Sequence, residues 1–186
     1  GRVIVNAAPT WIFAMNKEKR MNFDKDRAVG LLNRIMELEL AGVVRYTHYS
    51  LMVYGYNRIP VVEWLKAQAE EGLLHAHRAG ELVTLLGGYP SLSIGPLLET
   101  HHHDIGDILR ESLAHEGEAC AAYYELLELT QGKSVVLEDY ARSLIVEEEL
   151  HADEVNKMLR RTGTTGVYEA PTSKGPAGEA PKKKKR

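Results

Sequence analysis

Apolar residues recur every three or four positions along four long stretches of the chain, which places them on one face of an α-helix. Short links join the first predicted helix to the second and the third to the fourth. Residues 87–103, between the second and the third, contain two prolines and three glycines. The pattern predicts an all-α four-helix bundle in which one long crossover joins two helix hairpins. The predicted helices span residues 24–54, 60–86, 104–130 and 134–161.

Acidic residues interrupt the apolar face of each predicted helix. An ionised carboxylate on a buried face is costly unless a positive partner compensates it. Four such points on four helices favour one shared partner, and a pair of divalent metal ions is the simplest. Carboxylate oxygen and imidazole nitrogen together suit iron, manganese or zinc. The predicted metal ligands are Glu39, Glu71, His75, Glu116, Glu148 and His151.

The fourth helix carries the stronger of two carboxylate–histidine pairs. Glu148 and His151 stand at i and i+3, so both side chains can reach one site. Glu147 and Glu149 are alternatives in the same acidic run. Glu148 is preferred because it continues the apolar stripe of the helix.

The second helix carries the looser pair. Glu71 and His75 stand at i and i+4, which also share a helix face. Two-metal bundles use i and i+3 in this helix, and that spacing would put the carboxylate at Gly72. The carboxylate must therefore come from Glu71, with Glu70 as the alternative.

Four segments of the sequence resemble bacterioferritins, within the ferritin-like superfamily. They are LELAGVVRY, HAHRAGELVTLLGGYPSL, LRESLAHEGEA and EEELHADEV, and the resemblance covers about residues 25–160. The resemblance implies that Tyr46 lies beside a di-iron centre as a candidate catalytic residue, which could supply an electron or a hydrogen bond; a core aromatic is the simpler interpretation. It leaves Glu71 one residue out of register. It implies ferroxidase ligand positions at Glu39, His75, Glu116, Glu148 and His151.

The same resemblance implies a ferroxidase that oxidises Fe(II) with oxygen or peroxide and forms a homo-oligomeric cage for iron storage or detoxification. It implies iron but no haem, because the haem methionine of bacterioferritins would fall near Gly72, Leu73 and Leu74. Two alternatives stay open. One is a di-metal oxidase that forms no cage, and the other is a non-catalytic structural or docking subunit whose altered second helix binds metal poorly.

Charge is distributed unevenly along the chain. Residues 22–161 carry 13 Lys and Arg against 23 Asp and Glu, a net charge of −10, whereas residues 1–21 contribute +3 and residues 162–186 contribute +4. We predict an N-terminal extension over residues 1–23, a bundle over 24–161 and a flexible basic tail over 162–186, because the tail is rich in Gly, Pro and Thr.

The tail ends in a basic run that begins at Lys182 and ends at Arg186. Such a run could bind nucleic acid or an acidic partner weakly, although a solubility tail is the simpler interpretation. The single cysteine, Cys120, rules out an intramolecular disulfide and favours a reducing, cytoplasmic compartment. No apolar run is long enough to span a membrane.

The sequence does not favour metal binding by the histidines outside the predicted ligand set. His48, His77 and His115 are predicted to lie at the surface or at an interface. Residues 101–103, three consecutive histidines, are predicted to form a solvated helix start, because adjacent side chains point in different directions.

Overall fold

Four α-helices account for most of the part of the chain that the computed structural model describes, which is residues 22–97, 100–163 and 165–167. No strand occurs within those ranges, so the predicted all-α four-helix bundle is confirmed. None of the four helices is long and apolar enough to cross a membrane. They are α1 (Lys25–Met52), α2 (Arg58–Leu85), α3 (Ile105–Thr130) and α4 (Val135–Leu159).

Polar side chains fix where three of these helices begin. Asp24 and Asp104 each accept a hydrogen bond from a first-turn backbone N–H of the helix that follows, at 2.9 and 2.8 Å. Ser134 accepts one in the same way at 3.5 Å. These side chains satisfy donors that have no partner inside a helix, which is why the predicted and observed starts of α1, α3 and α4 agree within a residue.

Helix α2 begins two residues earlier than predicted. The sequence suggested Pro60 as the first helical residue, but the helix starts at Arg58. Proline is tolerated here because the first N–H groups of a helix have no partner within it. The next residue, Val61, donates its N–H to the carbonyl of Asn57 at 3.3 Å.

The interior contains two apolar clusters with polar residues between them along α1. One cluster includes Leu32 and Ile35 of α1, and the other includes Tyr46 and Val53. Glu39 lies between the two clusters in sequence and is buried. A carboxylate at that position is removed from water and needs a partner inside the bundle.

Helix α1 joins the parts of the bundle. It packs on α2 in one hairpin and also on α3, which forms the second hairpin with α4. The crossover lies against α1 as well, because the N–H of Gly95 donates to the carbonyl of Glu37 at 2.8 Å. A Cβ at residue 95 would lie 2.9 Å from that carbonyl oxygen, so only glycine allows this close approach.

Most of the predicted terminal segments lies outside the described residues. Of the N-terminal extension, only residues 22 and 23 are described. Of the basic tail, only residues 162, 163 and 165–167 are described, so the basic run at its end is outside them.

Candidate metal centre

All four helices contribute side chains to one small cavity inside the bundle. The six predicted ligands and Tyr46 line this cavity. Glu71 lines it whereas Glu70 is exposed and does not, so the register of α2 brings Glu71 to the site. The other lining residues are Gly42, Gln68, Gly72, His115 and Ala119.

His75 lies at the centre of the polar contacts in this cavity. Its Nδ1 is 3.2 Å from Glu148 Oε1 and 3.6 Å from Glu39 Oε2. These three residues are buried, and each offers a ligand atom within 4.8 Å of the other two. On the far side of Glu39, the hydroxyl of Tyr123 donates a hydrogen bond to Oε1 at 2.7 Å. Together they form an inner group that could hold an ion.

The other nitrogen of His75 faces a second, more exposed group. Its Nε2 is 3.1 Å from Glu147 Oε2, and Glu71, His75 and Glu147 again offer three ligand atoms within 4.8 Å of one another. Glu71 Oε2 is also 3.4 Å from His151 Nε2. The sequence treated Glu147 as an alternative to Glu148, but both reach His75, because its two ring nitrogens point in different directions.

Glu148 connects the two histidines of the site. Its Oε1 faces His75, and its Oε2 is 3.7 Å from His151 Nδ1. Burial by itself would raise the pKa of Glu148, but hydrogen bonds from His151 and His75 hold that pKa below its usual range. Glu148 is therefore ionised at neutral pH although it is only 3% exposed.

Glu116 is bonded to the candidate catalytic tyrosine. The hydroxyl of Tyr46 donates a short hydrogen bond to Glu116 Oε1. Burial raises the pKa of the Glu116 and Glu39 carboxyl groups. Burial and the adjacent Glu116 raise the pKa of the Tyr46 phenol well above 10, so the phenol keeps its proton and acts as a donor.

Protons carry the positive charge of this site when no ion is bound. Although burial opposes it, hydrogen bonds with Glu148 and Glu39 raise the pKa of His75 to about 10. A metal ion needs neutral imidazole and ionised carboxylate, so it would replace protons on these groups. The set of buried carboxylate oxygens and imidazole nitrogens fits iron, manganese or zinc.

Gly72 occupies the position from which α2 faces the inner group. A Cβ built there would lie 3.4 Å from Glu39 Oε2, 3.4 Å from the Glu39 carbonyl and 3.6 Å from Val43 Cγ2. A side chain at residue 72 would thus stand beside the buried carboxylate. With glycine there, the carboxylate that α2 brings to the cavity is that of Glu71, which is half-exposed and approaches from the side of His151.

His115 was predicted to lie at the surface or at an interface. The surface position is wrong, because the side chain is buried inside the bundle. It is 5% exposed and lines the cavity. Burial and then the charge of Arg45 lower its pKa to about 4, so the ring is neutral at pH 7. The available signal was Gly42, since a glycine inside a long helix often marks a close approach.

Comparison with known proteins places this geometry in a wider setting. A family model described as a ferritin-like domain matches residues 29–164. A search of curated proteins found no match to the sequence.

Several solved structures have a similar fold. A ferritin-like di-iron-carboxylate protein from Bacillus anthracis str. Ames shares 20% identity with a TM-score of 0.71, over 75% of this chain and 100% of that one. The dodecameric thioferritin of Bacteroides fragilis, a bacterioferritin-related protein, shares 22% with a TM-score of 0.70, over 81% and 93%. The bacterioferritin of Desulfovibrio desulfuricans, which has a di-iron site, shares 24% with a TM-score of 0.64, over 73% and 79%. Identities this low support likeness of fold.

Proposed function

This chain belongs to the ferritin-like family, and on that premise we propose that it is a bacterioferritin-like di-iron ferroxidase. It would oxidise Fe(II) to Fe(III) for iron storage or detoxification. The observation that carries the proposal is the meeting of four glutamates and two histidines from four helices around one cavity. Buried carboxylates in such number need cationic partners, and two metal ions would supply them.

Each of the two helix hairpins would supply three of the proposed metal ligands. Glu39 and Glu116 would be terminal, Glu148 and Glu71 would bridge, and His75 and His151 would each bind one ion. Iron bound in this site would supply the redox chemistry: two Fe(II) ions would give one electron each, and these two electrons with two protons would reduce dioxygen to hydrogen peroxide or hydrogen peroxide to water.

Other side chains would hold those ligands in place. Tyr46 orients Glu116 through its hydroxyl, and Tyr123 orients Glu39 in the same way. Glu147 fixes the outer nitrogen of His75. Partners of this kind set the direction and basicity of the atoms that bind metal. In this role Tyr46 is a positioning residue, and the second possibility is that it also donates an electron.

We also propose the wider properties that the family suggests. The di-iron-carboxylate protein of Bacillus anthracis and the bacterioferritin of Desulfovibrio desulfuricans support iron as the metal, and the dodecamer of Bacteroides fragilis supports a homo-oligomeric cage. Leu73 and Leu74, in place of the haem methionine, support a centre without haem. The single cysteine supports a cytoplasmic location.

An anaerobic Fe(II) titration followed by exposure to oxygen tests the proposal. We expect saturation at about two iron ions per chain and an oxo-bridged ferric absorption band on oxidation. Glu148→Gln should abolish both, whereas Glu154→Gln, at an exposed position of the same helix, should leave both unchanged. Absence of saturable binding and oxidation in the unaltered chain would refute the proposal.

A second matched pair tests the role of α2. Glu71→Gln should weaken iron binding and slow oxidation, whereas Glu70→Gln should do neither, because Glu70 does not line the cavity. Equal effects of the two substitutions would contradict a bridging role for Glu71.

Gly72 keeps the non-catalytic alternative open. If the absence of a carboxylate at residue 72 makes metal binding too weak, the purified chain would bind no metal and would act as a structural or docking subunit. The mass of the native particle separates a cage from an oxidase that forms no cage.

A further inference from the structure

Two imidazoles meet at a point away from the candidate metal centre, where the end of the crossover approaches α1. His48 of α1 and His103, which precedes α3, place their Nε2 atoms 3.3 Å apart, and both side chains are half-buried. Residues 101 and 102 are exposed just before α3, as the predicted solvated helix start requires, whereas His103 contacts His48. His48 follows Glu39 by nine residues, about 13 Å along the helix axis.

The distance between the two nitrogens matches the spacing of ligands around a tetrahedral ion. Two nitrogens that each lie about 2.0–2.1 Å from a Zn(II) ion at a tetrahedral angle are about 3.3–3.4 Å apart. A hydrogen bond between the two ring nitrogens is the other arrangement that fits this separation. The pair thus has the separation that a shared ion requires.

Neighbouring contacts hold together the two segments that carry these histidines. The carboxylate of Glu111 accepts hydrogen bonds from Tyr49 on one oxygen and from Thr100 on the other, each at 2.5 Å. Tyr49 is next to His48, and Thr100 lies three residues before His103, so one carboxylate joins the two segments that carry the pair. A site already arranged in this way loses little conformational entropy when it binds.

We propose that His48 and His103 bind a divalent transition ion such as Zn(II) through their Nε2 atoms, with water completing a tetrahedral shell. Imidazole nitrogen prefers zinc, copper, nickel and iron to the hard ions magnesium and calcium. The bound ion ties the crossover to α1. This site shares no residue with the candidate metal centre, so it stands or falls independently of ferroxidase activity.

Zinc titration by calorimetry tests the site in a full-length background that carries Glu39→Gln and Glu148→Gln to weaken the other centre. We expect one zinc ion per chain at the histidine pair. His48→Gln or His103→Gln should lower its affinity by at least about tenfold, since a direct ligand matters no less than an outer partner. His102→Gln, an exposed neighbour in the same segment, should leave it unchanged.

A second measurement is used if the protein that carries Glu39→Gln and Glu148→Gln does not fold. In the otherwise unaltered chain, His103→Gln should reduce zinc stoichiometry by about one ion relative to His102→Gln. Equal zinc binding by the His103→Gln and His102→Gln proteins, in either background, would overturn the proposal and leave the pair as a hydrogen bond between two side chains.

Discussion

Two glycines of α1 should respond in opposite ways to the same substitution. Gly30 has open space around it, since a Cβ there would meet nothing within 4 Å. At Gly42 the added Cβ would lie 2.9 Å from His115 Nε2 and 3.5 Å from its Cδ2. The ring is buried inside the bundle, so it cannot move aside without displacing the side chains packed around it.

The expected free energies follow from these surroundings. Replacing an unhindered helix glycine by alanine stabilises a protein by roughly 0.5–1 kcal/mol, so Gly30→Ala should raise stability by that amount. Gly42→Ala receives the same gain but should lose roughly 1–3 kcal/mol to overpacking. Because both positions lie inside α1, the helix contribution cancels in the comparison. The two variants should therefore differ by roughly 1–3 kcal/mol, which corresponds to about 2–4 °C of melting temperature per kcal/mol in a chain of this size.

Urea unfolding of metal-free protein, followed by circular dichroism at fixed protein concentration, measures the difference. A third variant, Gly42→Ala combined with His115→Ala, should be more stable than the sum of the two single changes predicts, by about 0.5 kcal/mol or more. Gly42→Ala should also weaken Fe(II) binding, since the displaced ring adjoins Glu116, whereas Gly30→Ala should not. If Gly42→Ala is as stable as Gly30→Ala, the packing of His115 against α1 described above is incorrect.

Three further changes probe the charges of the centre. Tyr46→Phe removes the donor to Glu116 and should destabilise the metal-free protein by about 1–3 kcal/mol in urea unfolding; unchanged stability would contradict that hydrogen bond. Burial opposes but neighbouring carboxylates raise the pKa of His75 from 6.5 to about 10, so its stabilising effect is complete below pH 6.5 and lost as pH rises through about 10. Stability of the metal-free protein should fall across that window, and His75→Asn should flatten the slope. Gly72→Glu should strengthen Fe(II) binding, yet destabilise the metal-free protein by up to about 4 kcal/mol, the repulsion of two charges about 4 Å apart at an effective dielectric constant near 20.

The fold followed from local rules that operate along single helices. Periodic apolar residues located all four helices, and Asp24, Asp104 and Ser134 marked starts that the structure places within a residue of the prediction. Only α2 began elsewhere, because proline is accepted at several positions of a first turn and does not fix one of them.

The contacts within the centre were harder to predict where a side chain lies between two helices. The apolar stripe of α4 selected Glu148, but it could not show that the two nitrogens of His75 reach Glu147 as well. A single histidine in a helix leaves its surroundings undetermined, so the burial of His115 and the approach of His103 to His48 had to come from the structure.

The seam between α2 and α4 differs from the other contacts of the bundle. The hairpins meet closely along α1 and α3, whereas the backbones of α2 and α4 stay farther apart. Across this wider gap the contacts described here join titratable side chains, with His75 touching Glu147 and Glu148 and Glu71 touching His151. An ion bound there would link α2 to α4 along one side of the molecule. Amide hydrogen exchange along both helices would then slow when the ion binds, and this would report metal occupancy without any spectroscopic signal from the metal.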